Sequence, residues 1–327
     1  MKRKWKALLL IVAMVCMVAA FAGCTKDQSG ESTGTTEPSS DYGELRIEDL
    51  TVYINSNKIG TFAEIRPVFT KPEKAEELTY TYDTEDLKIE GNVVTPLKRA
   101  DKTVNVKAKS EHFETVFKVN VEYIRFTGSE ASQLYDITAY PVAARAETCK
   151  AVTANTTLFI GDSFMDDYFI GDFMKEYAKG KEVLNAGMSS TTSYHWEAAY
   201  SQIIGETAPK NIVLHIGTNN FYDAQDGVED TEQSLIRLLT FIHNSYPTSN
   251  IYWFNITQRQ DTQYAQQVSQ TNSYIASWCE KYDWITCVDT CSKVTTSMLR
   301  DGVHPTTENY QVFIDALVAA GCEIVGK

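Results

Sequence analysis

The stretch "TLFIGDSF", residues 157–164, runs from an apolar segment into a Gly-Asp-Ser turn. A short run of β-branched and aromatic residues closed by glycine reads as a buried strand. Asp or Ser directly after it suits the start of a helix. Similar runs recur at 182–186 ("EVLNA"), 211–217 ("NIVLHIG"), 251–257 ("IYWFNIT") and 284–289 ("WITCVD"). Helical patterns lie between them. Leu235, Leu238, Leu239, Ile242 and Tyr246 form one stripe at 3.6-residue spacing, and Tyr264, Val268, Thr271, Ile275, Trp278 and Tyr282 form a second. Strands alternating with helices predict a parallel sheet covered on both faces. In such a sheet the chemistry gathers beyond the carboxyl ends of the strands.

That rule selects a small set of residues. Ser163 follows the first strand, where the free N–H groups of a helix start favour a developing negative charge; the plainer reading is that Asp162 and Ser163 cap the helix. The second strand ends in "LNAGMSS", and Gly187 can present an N–H that no side chain shields. The third ends in "HIGTNN", where the Asn219 amide is a neutral donor. Taken singly, a glycine and an asparagine in such places are ordinary turn residues. Near the C-terminus "DGVHP", residues 301–305, holds the only histidine of the last eighty residues, with Asp301 three positions earlier and Pro305 directly after. Neutral imidazole accepts a hydroxyl proton near pH 7, and a carboxylate on its other nitrogen fixes the tautomer and stabilises imidazolium. The other histidines lack that spacing. His215 lies in an apolar strand and is expected to be buried, His243 is expected on an exposed helix face, and His195 starts a helix or lines the pocket with Tyr194 and Trp196. Asp166 and Asp167 suit the first turn of a helix. No metal or cofactor is expected.

Gly-Asp-Ser, then Gly, then Gly-x-Asn, then Asp-x-x-His, in this order at the ends of successive strands, resembles the SGNH or GDSL-like hydrolase family over about residues 155–327. The resemblance implies a three-layer α/β/α, flavodoxin-like domain with a parallel sheet. It further implies Ser163 as nucleophile, His304 as general base, Asp301 as its orienting acid, and an oxyanion hole made by Ser163, Gly187 and Asn219. Phe164 stands where the family name has leucine.

The N-terminal part reads differently. Lys2, Arg3, Lys4 and Lys6 precede an apolar run from Ala7 to Ala22, the pattern of a secretory signal. The run is shorter than the ~20 residues needed to span a bilayer, which disfavours an uncleaved membrane helix. Ala22-Gly23-Cys24 resembles a bacterial lipobox, which implies that the Cys24 thiol is the lipid attachment point. Residues 24–42 are Ser, Thr, Gly and acids with almost nothing apolar, a tether rather than a folded segment. Between about 43 and 126 the period is two: Val104, Val106 and Ala108 share one face, as do Phe113, Phe117, Val119, Val121 and Tyr123. This predicts a β-sandwich, and its layout resembles the bacterial immunoglobulin-like domains of surface proteins, which implies a spacer.

The expected plan is a signal at 1–23, a linker at 24–42, an immunoglobulin-like sandwich at 43–126 and a catalytic domain at 127–327. Residues 1–23 carry four positive charges and no negative one, so the formal net charge of −13 becomes −17 without them. So acidic a chain repels nucleic acid and anionic headgroups. Five cysteines follow Cys24, at 149, 279, 287, 291 and 322. Cys287 and Cys291 bridge each other, or one of them bridges Cys279, or all five are small buried apolar residues. The combined expectation is an extracytoplasmic, membrane-tethered serine esterase acting on small acyl esters of carbohydrate. The Tyr194, Trp196, Phe221 and Tyr222 rings either stack on sugars or are buried packing. A lipase or lysophospholipase of the same family and a non-catalytic surface binding protein are the alternatives.

The anchor is tested by metabolic labelling with a fatty acid: the wild-type chain should carry label and fractionate with membranes, and Cys24→Ser should abolish both.

Overall fold

The alternation read from the sequence sorts the strands of the C-terminal region onto two cores. In a computed structural model, which describes residues 42–55, 60–83, 85–98, 101–124 and 133–326, five parallel strands form one sheet. They are β10 (Thr157–Gly161), β11 (Val183–Asn185), β12 (Asn211–His215), β13 (Asn250–Phe254) and β14 (Ile285–Val288), in spatial order β11-β10-β12-β13-β14. The first nine strands belong to the N-terminal region described below.

Leu158, Ile160, Ile212, Leu214, Ile251 and Trp253 point to one face. There they pack with helices α1 (Val142–Cys149), α3 (Ser193–Ile204), α5 (Val228–Ser245) and α6 (Ala265–Cys279). Phe159, Val213, Tyr252, Phe254 and Val288 point to the other, against α2 (Asp167–Tyr177) and α7 (Gln311–Ala319). Period-two strands with apolar residues at every position demand such cover on both sides. The helical stripes fall where the spacing puts them: Leu235, Leu238, Leu239 and Ile242 are fully buried along α5, and Val268, Thr271, Ile275 and Trp278 are buried along α6.

The chain leaves β10 toward β11 on one side and returns to β12 on the other. The carboxyl ends of β10 and β12 therefore flank the point where the winding reverses, the usual crevice of doubly wound sheets. Gly161 closes β10 with φ +130, and a Cβ there would run into the backbone of His215 in β12. The Asp162 N–H donates to that same His215 carbonyl at 2.9 Å. Glycine is thus required at the strand end by both its backbone angle and the closeness of the neighbouring chain.

The N-terminal region is all β. Strands β2 (Leu50–Asn55), β5 (Thr79–Thr81), β8 (Lys102–Lys109) and β9 (Glu114–Ile124) form a sheet in the order β2-β9-β8-β5, while β3 (Ala63–Glu64), β6 (Leu87–Glu90) and β7 (Val93–Pro96) form a second. The short pair β1 (Leu45–Arg46) and β4 (Val68–Phe69) lies beside them in sequence. Val104, Val106, Ala108, Phe117, Val119 and Val121 share one core with Val52, Leu87 and Val94, as the alternation requires. This region packs on the α/β region. Phe62 lies edge-on to Tyr282 and Trp284 at 5.5 and 6.4 Å, the Arg237 guanidinium sits 5.1 Å from the Tyr53 ring, and Asn244 donates to the Gly60 carbonyl.

All five described cysteines are free thiols, so no bridge forms among Cys279, Cys287 and Cys291. Cys149, Cys279 and Cys322 are buried as small apolar residues, whereas Cys287 and Cys291 are partly exposed. His243 is not on an open face: its ring stacks on Trp284 at 4.1 Å. The signal segment, Cys24 and nearly all of the linker lie outside the described residues.

Gly161→Ala should destabilise the fold by more than about 4 kcal/mol or prevent folding, because the obstacle is backbone. Gly180→Ala, at φ +69 with nothing within 4 Å, should cost only about 1 kcal/mol. Denaturant unfolding of the two variants checks the contrast.

Candidate active site

Asp162 follows β10 with its carboxylate fully buried, and its Oδ1 accepts from the Phe164 N–H at 3.1 Å and lies 2.9 Å from His215 Nδ1. It is Asp162, not Ser163, that caps the following 3-10 turn, and this leaves the serine side chain free to turn outward. Ser163 opens that turn, so its own N–H has no intrahelical acceptor. His215 is buried as expected, stacked on Phe164 at 4.0 Å.

The Ser163 hydroxyl lies 2.7 Å from His304 Nε2, across 141 residues of sequence. His304 Nδ1 in turn lies 2.8 Å from Asp301 Oδ2. The other oxygen of Asp301 accepts the backbone N–H groups of Val303 and His304 at 3.0 and 2.7 Å. One carboxylate therefore holds both the loop and the ring it carries. The loop is closed from outside as well: the Arg300 N–H donates to the His304 carbonyl at 2.8 Å, and Leu299 bridges Pro305.

Burial sets the electrostatics of this pair. It pushes the imidazole below its ordinary 6.5, against the hydrogen bond and charge of Asp301, which push it up. For Asp301 burial is likewise the largest influence and acts upward. The combined hydrogen bonds from His304 and Val303 and the His304 charge outweigh it and bring the carboxyl down to about 2. At neutral pH the arrangement is hydroxyl, neutral imidazole, carboxylate. Phe169, from the first turn of α2, covers the imidazole face at 3.6 Å between ring centroids, tilted 23°. No sequence signal pointed to Phe169, because its partner lies 135 positions away.

Gly187 sits hard against the turn that carries Ser163; a Cβ there would enter the Met165 backbone. Close approach of main chain, and not only an unshielded N–H, is why glycine stands there. Asn219 lies in the short helix α4 (Thr218–Tyr222) just past β12, almost fully buried, and its Nδ2 donates to the Thr191 carbonyl at 3.0 Å. An amide nitrogen has two protons, so one remains for a further acceptor. Thr191 belongs to the loop that begins at Gly187 and is braced by Trp196, whose Nε1 donates to Thr191 Oγ1 at 3.0 Å. Asp166 ties this loop to α2: its Oδ1 takes the Tyr168 N–H at 2.9 Å and its Oδ2 the Ser189 N–H at 3.0 Å. Asp166 and Asp167 also hold Arg145, at 3.3 and 2.5 Å, in the helix-start role read from their position.

At the rim the structure selects between the alternatives left open by the sequence. Trp196 and Phe221 are fully buried and Tyr194 is 8% exposed, because α3 and α4 turn these rings into the core; none faces solvent to stack on a ligand. Tyr222 is half-buried under the Arg259 guanidinium, 3.7 Å from its ring. His195 caps α3 with Thr192, and burial brings its imidazole down to about 4.

A hydroxyl, imidazole and carboxylate in one hydrogen-bonded line at the crevice of a doubly wound sheet is the arrangement that serine-type hydrolysis needs. Residues 159–312 match the model of the GDSL-like Lipase/Acylhydrolase family, and the enzyme class this match supports is an SGNH-type ester hydrolase. No curated protein matches the chain. Among solved structures it is similar to a GDSL-like lipase from Bacteroides thetaiotaomicron (16% identity, 55% of this chain and 96% of that one, TM-score 0.44). It is also similar to an acetylxylan esterase from Geobacillus stearothermophilus (18%, 53% and 97%, 0.42). A third is a carbohydrate esterase family 3 protein from Talaromyces cellulolyticus (15%, 50% and 94%, 0.41).

The His304 imidazole should titrate below 6.5 when followed by NMR. Asp301→Asn should move it further down, since a raising influence is lost, and Phe169→Ala should move it up toward 6.5, since cover is lost.

Proposed function

We propose that Ser163 is the nucleophile of an acyl transfer to water, with His304 as general base and then acid, and Asp301 as the group that orients and supports it. The observation that carries this reading is the line Ser163 Oγ, His304 Nε2, His304 Nδ1, Asp301 Oδ2, with 2.7 and 2.8 Å at its two hydrogen bonds. A serine hydroxyl is a weak nucleophile until a base within such reach takes its proton during attack. His304, held neutral by burial, takes it and becomes imidazolium beside the ionised Asp301. The tetrahedral oxyanion then accepts from the Ser163 N–H, the Gly187 N–H and the second proton of the Asn219 amide. One such donor contributes about 3–4 kcal/mol to lowering the barrier. Collapse of the tetrahedral adduct expels the alcohol, which takes the proton from His304. Water then attacks the acyl-serine by the same route and releases the acid.

In this reading the ester is a small acyl group, acetyl foremost, on a carbohydrate hydroxyl. The protein works outside the cytoplasm, held to the membrane by lipid on Cys24, with the N-terminal β region as an immunoglobulin-like module. The sequence supports this by its signal pattern, its Ser/Thr/Gly-rich tether and the two-period strands that follow. The strongly acidic chain weighs against work at an anionic lipid surface.

Ser163→Ala and His304→Ala should each reduce hydrolysis of a chromogenic acetyl ester to near background, and the double variant should lose no more, since residues that act as one unit fail together. Asn219→Ala should lower turnover by about 10²–10³. An organophosphonate should label Ser163 in the wild type; label on another serine, or full activity in folded His304→Ala, would overturn the assignment. Rates on acetyl, butyryl and octanoyl esters rank the acyl length, with acetyl expected first.

A further inference from the structure

The rings read from the sequence as sugar platforms are buried or covered, yet the rim of the site is not without an exposed aromatic. Tyr168 is 77% exposed, the most exposed large apolar side chain among the described residues. Its ring lies edge-on to Phe169 at 4.9 Å, and Phe169 is the residue stacked on His304. Tyr168 is thus two ring contacts from the imidazole. Single exposed apolar residues are common and by themselves mean little. Three features separate this one from that background.

Its backbone is fixed: the Tyr168 N–H is held by Asp166, which also holds the Ser189 N–H of the Gly187 loop. Its side chain has a built neighbour, for the Arg300 guanidinium stands 5.3 Å from the Tyr168 ring centroid and 4.5 Å from that of Phe169. Arg300 adjoins Asp301, whose Oδ2 is 4.0 Å from its Nε. At that distance the ion pair is loose, and a fork of five donors has capacity left for hydroxyl oxygens. A flat apolar face next to a fan of donors suits a ligand that presents C–H groups on one side and hydroxyls at its edge. An acyl chain uses the face and wastes the donors; a pyranose ring uses both.

We propose that Tyr168 and Arg300 form a sugar-binding subsite at the mouth of the active site, with the ring of an O-acylated saccharide laid on Tyr168 and its hydroxyls bonded to Arg300. The proposal rests on the reading above that the alcohol is a carbohydrate. Because both groups are already held in place, little ordering is needed on binding. The subsite would select the alcohol side of the ester while leaving the acyl transfer to Ser163 and its partners.

The test compares kcat/KM for a partially O-acetylated oligosaccharide with that for 4-nitrophenyl acetate. In Tyr168→Ala the ratio of the two should fall about tenfold, mostly through KM of the oligosaccharide, and Tyr168→Phe should restore it. Arg300→Met should lower the same ratio. A ratio unchanged in Tyr168→Ala, or one that falls equally in Tyr168→Phe, overturns the subsite. If the wild type hydrolyses the chromogenic ester and not the oligosaccharide, the carbohydrate reading fails separately. Binding of the oligosaccharide to Ser163→Ala, followed by NMR, then decides the subsite: binding lost in Ser163→Ala/Tyr168→Ala sustains it, and absence of any binding overturns it.

Discussion

The pairing of β10 with β12 is the constraint on which the rest of the site depends. In its register Gly161 lies opposite His215, and the next N–H, that of Asp162, is bonded to the His215 carbonyl. This fixes where β10 stops and turns, and so where Ser163 projects. It also fixes where β12 stops, four residues before Asn219. The two residues stand on either side of the reversal in winding because the hydrogen bonds between two central strands cannot slip: a shift by one would turn every side chain to the opposite face. Both faces are packed, so the register is strongly specified.

Around that point three backbones approach one another with no room for side chains. Gly161 lies against β12, and Gly187 lies against the turn after Ser163. Thr191, in the loop that Gly187 begins, then holds the Asn219 amide through its carbonyl. In the proposed mechanism the Ser163 and Gly187 N–H groups and the Asn219 amide are the oxyanion donors, and main chain and a braced loop hold them so that they meet a developing charge without rearranging. His304 comes from the other end of the chain on a loop whose carboxylate, that of Asp301, makes three hydrogen bonds within four residues. Burial beneath Phe169 keeps the imidazole neutral, and Asp301 keeps it oriented. The two influences on His304 oppose each other, and the balance leaves an imidazole that is neutral at neutral pH with a carboxylate on its other nitrogen, as the proposed base role requires.

Among the described residues the N-terminal β region contributes no side chain to this arrangement, but it is seated on the same helices that cover one face of the sheet. Arg237 shows how. It forms a buried bidentate pair with Glu197 of α3, at 2.8 and 2.6 Å, and its guanidinium lies over Tyr53 of β2. A charge pair that would be costly to leave alone in the core is placed where an aromatic ring from the neighbouring region can cover it.

Much of this was legible in the sequence. Five apolar runs named the five strands, two helical stripes named the longest helices, and the spacing of Asp301 and His304 singled them out, because periodicity and short-range spacing are local properties that the chain carries without folding. The side chains that surround the site were not. For Trp196 and Phe221 the sequence left stacking and core packing equally open, and they are core; Phe169 lies on the imidazole and Tyr168 on Phe169 with no local pattern to mark either; and of the two residues read as a helix cap only Asp162 caps. Which face of a helix meets solvent, and which ring lies on which, follows from contacts between residues more than a hundred positions apart. Those distances are set only when β10 and β12 pair and the last loop closes over them.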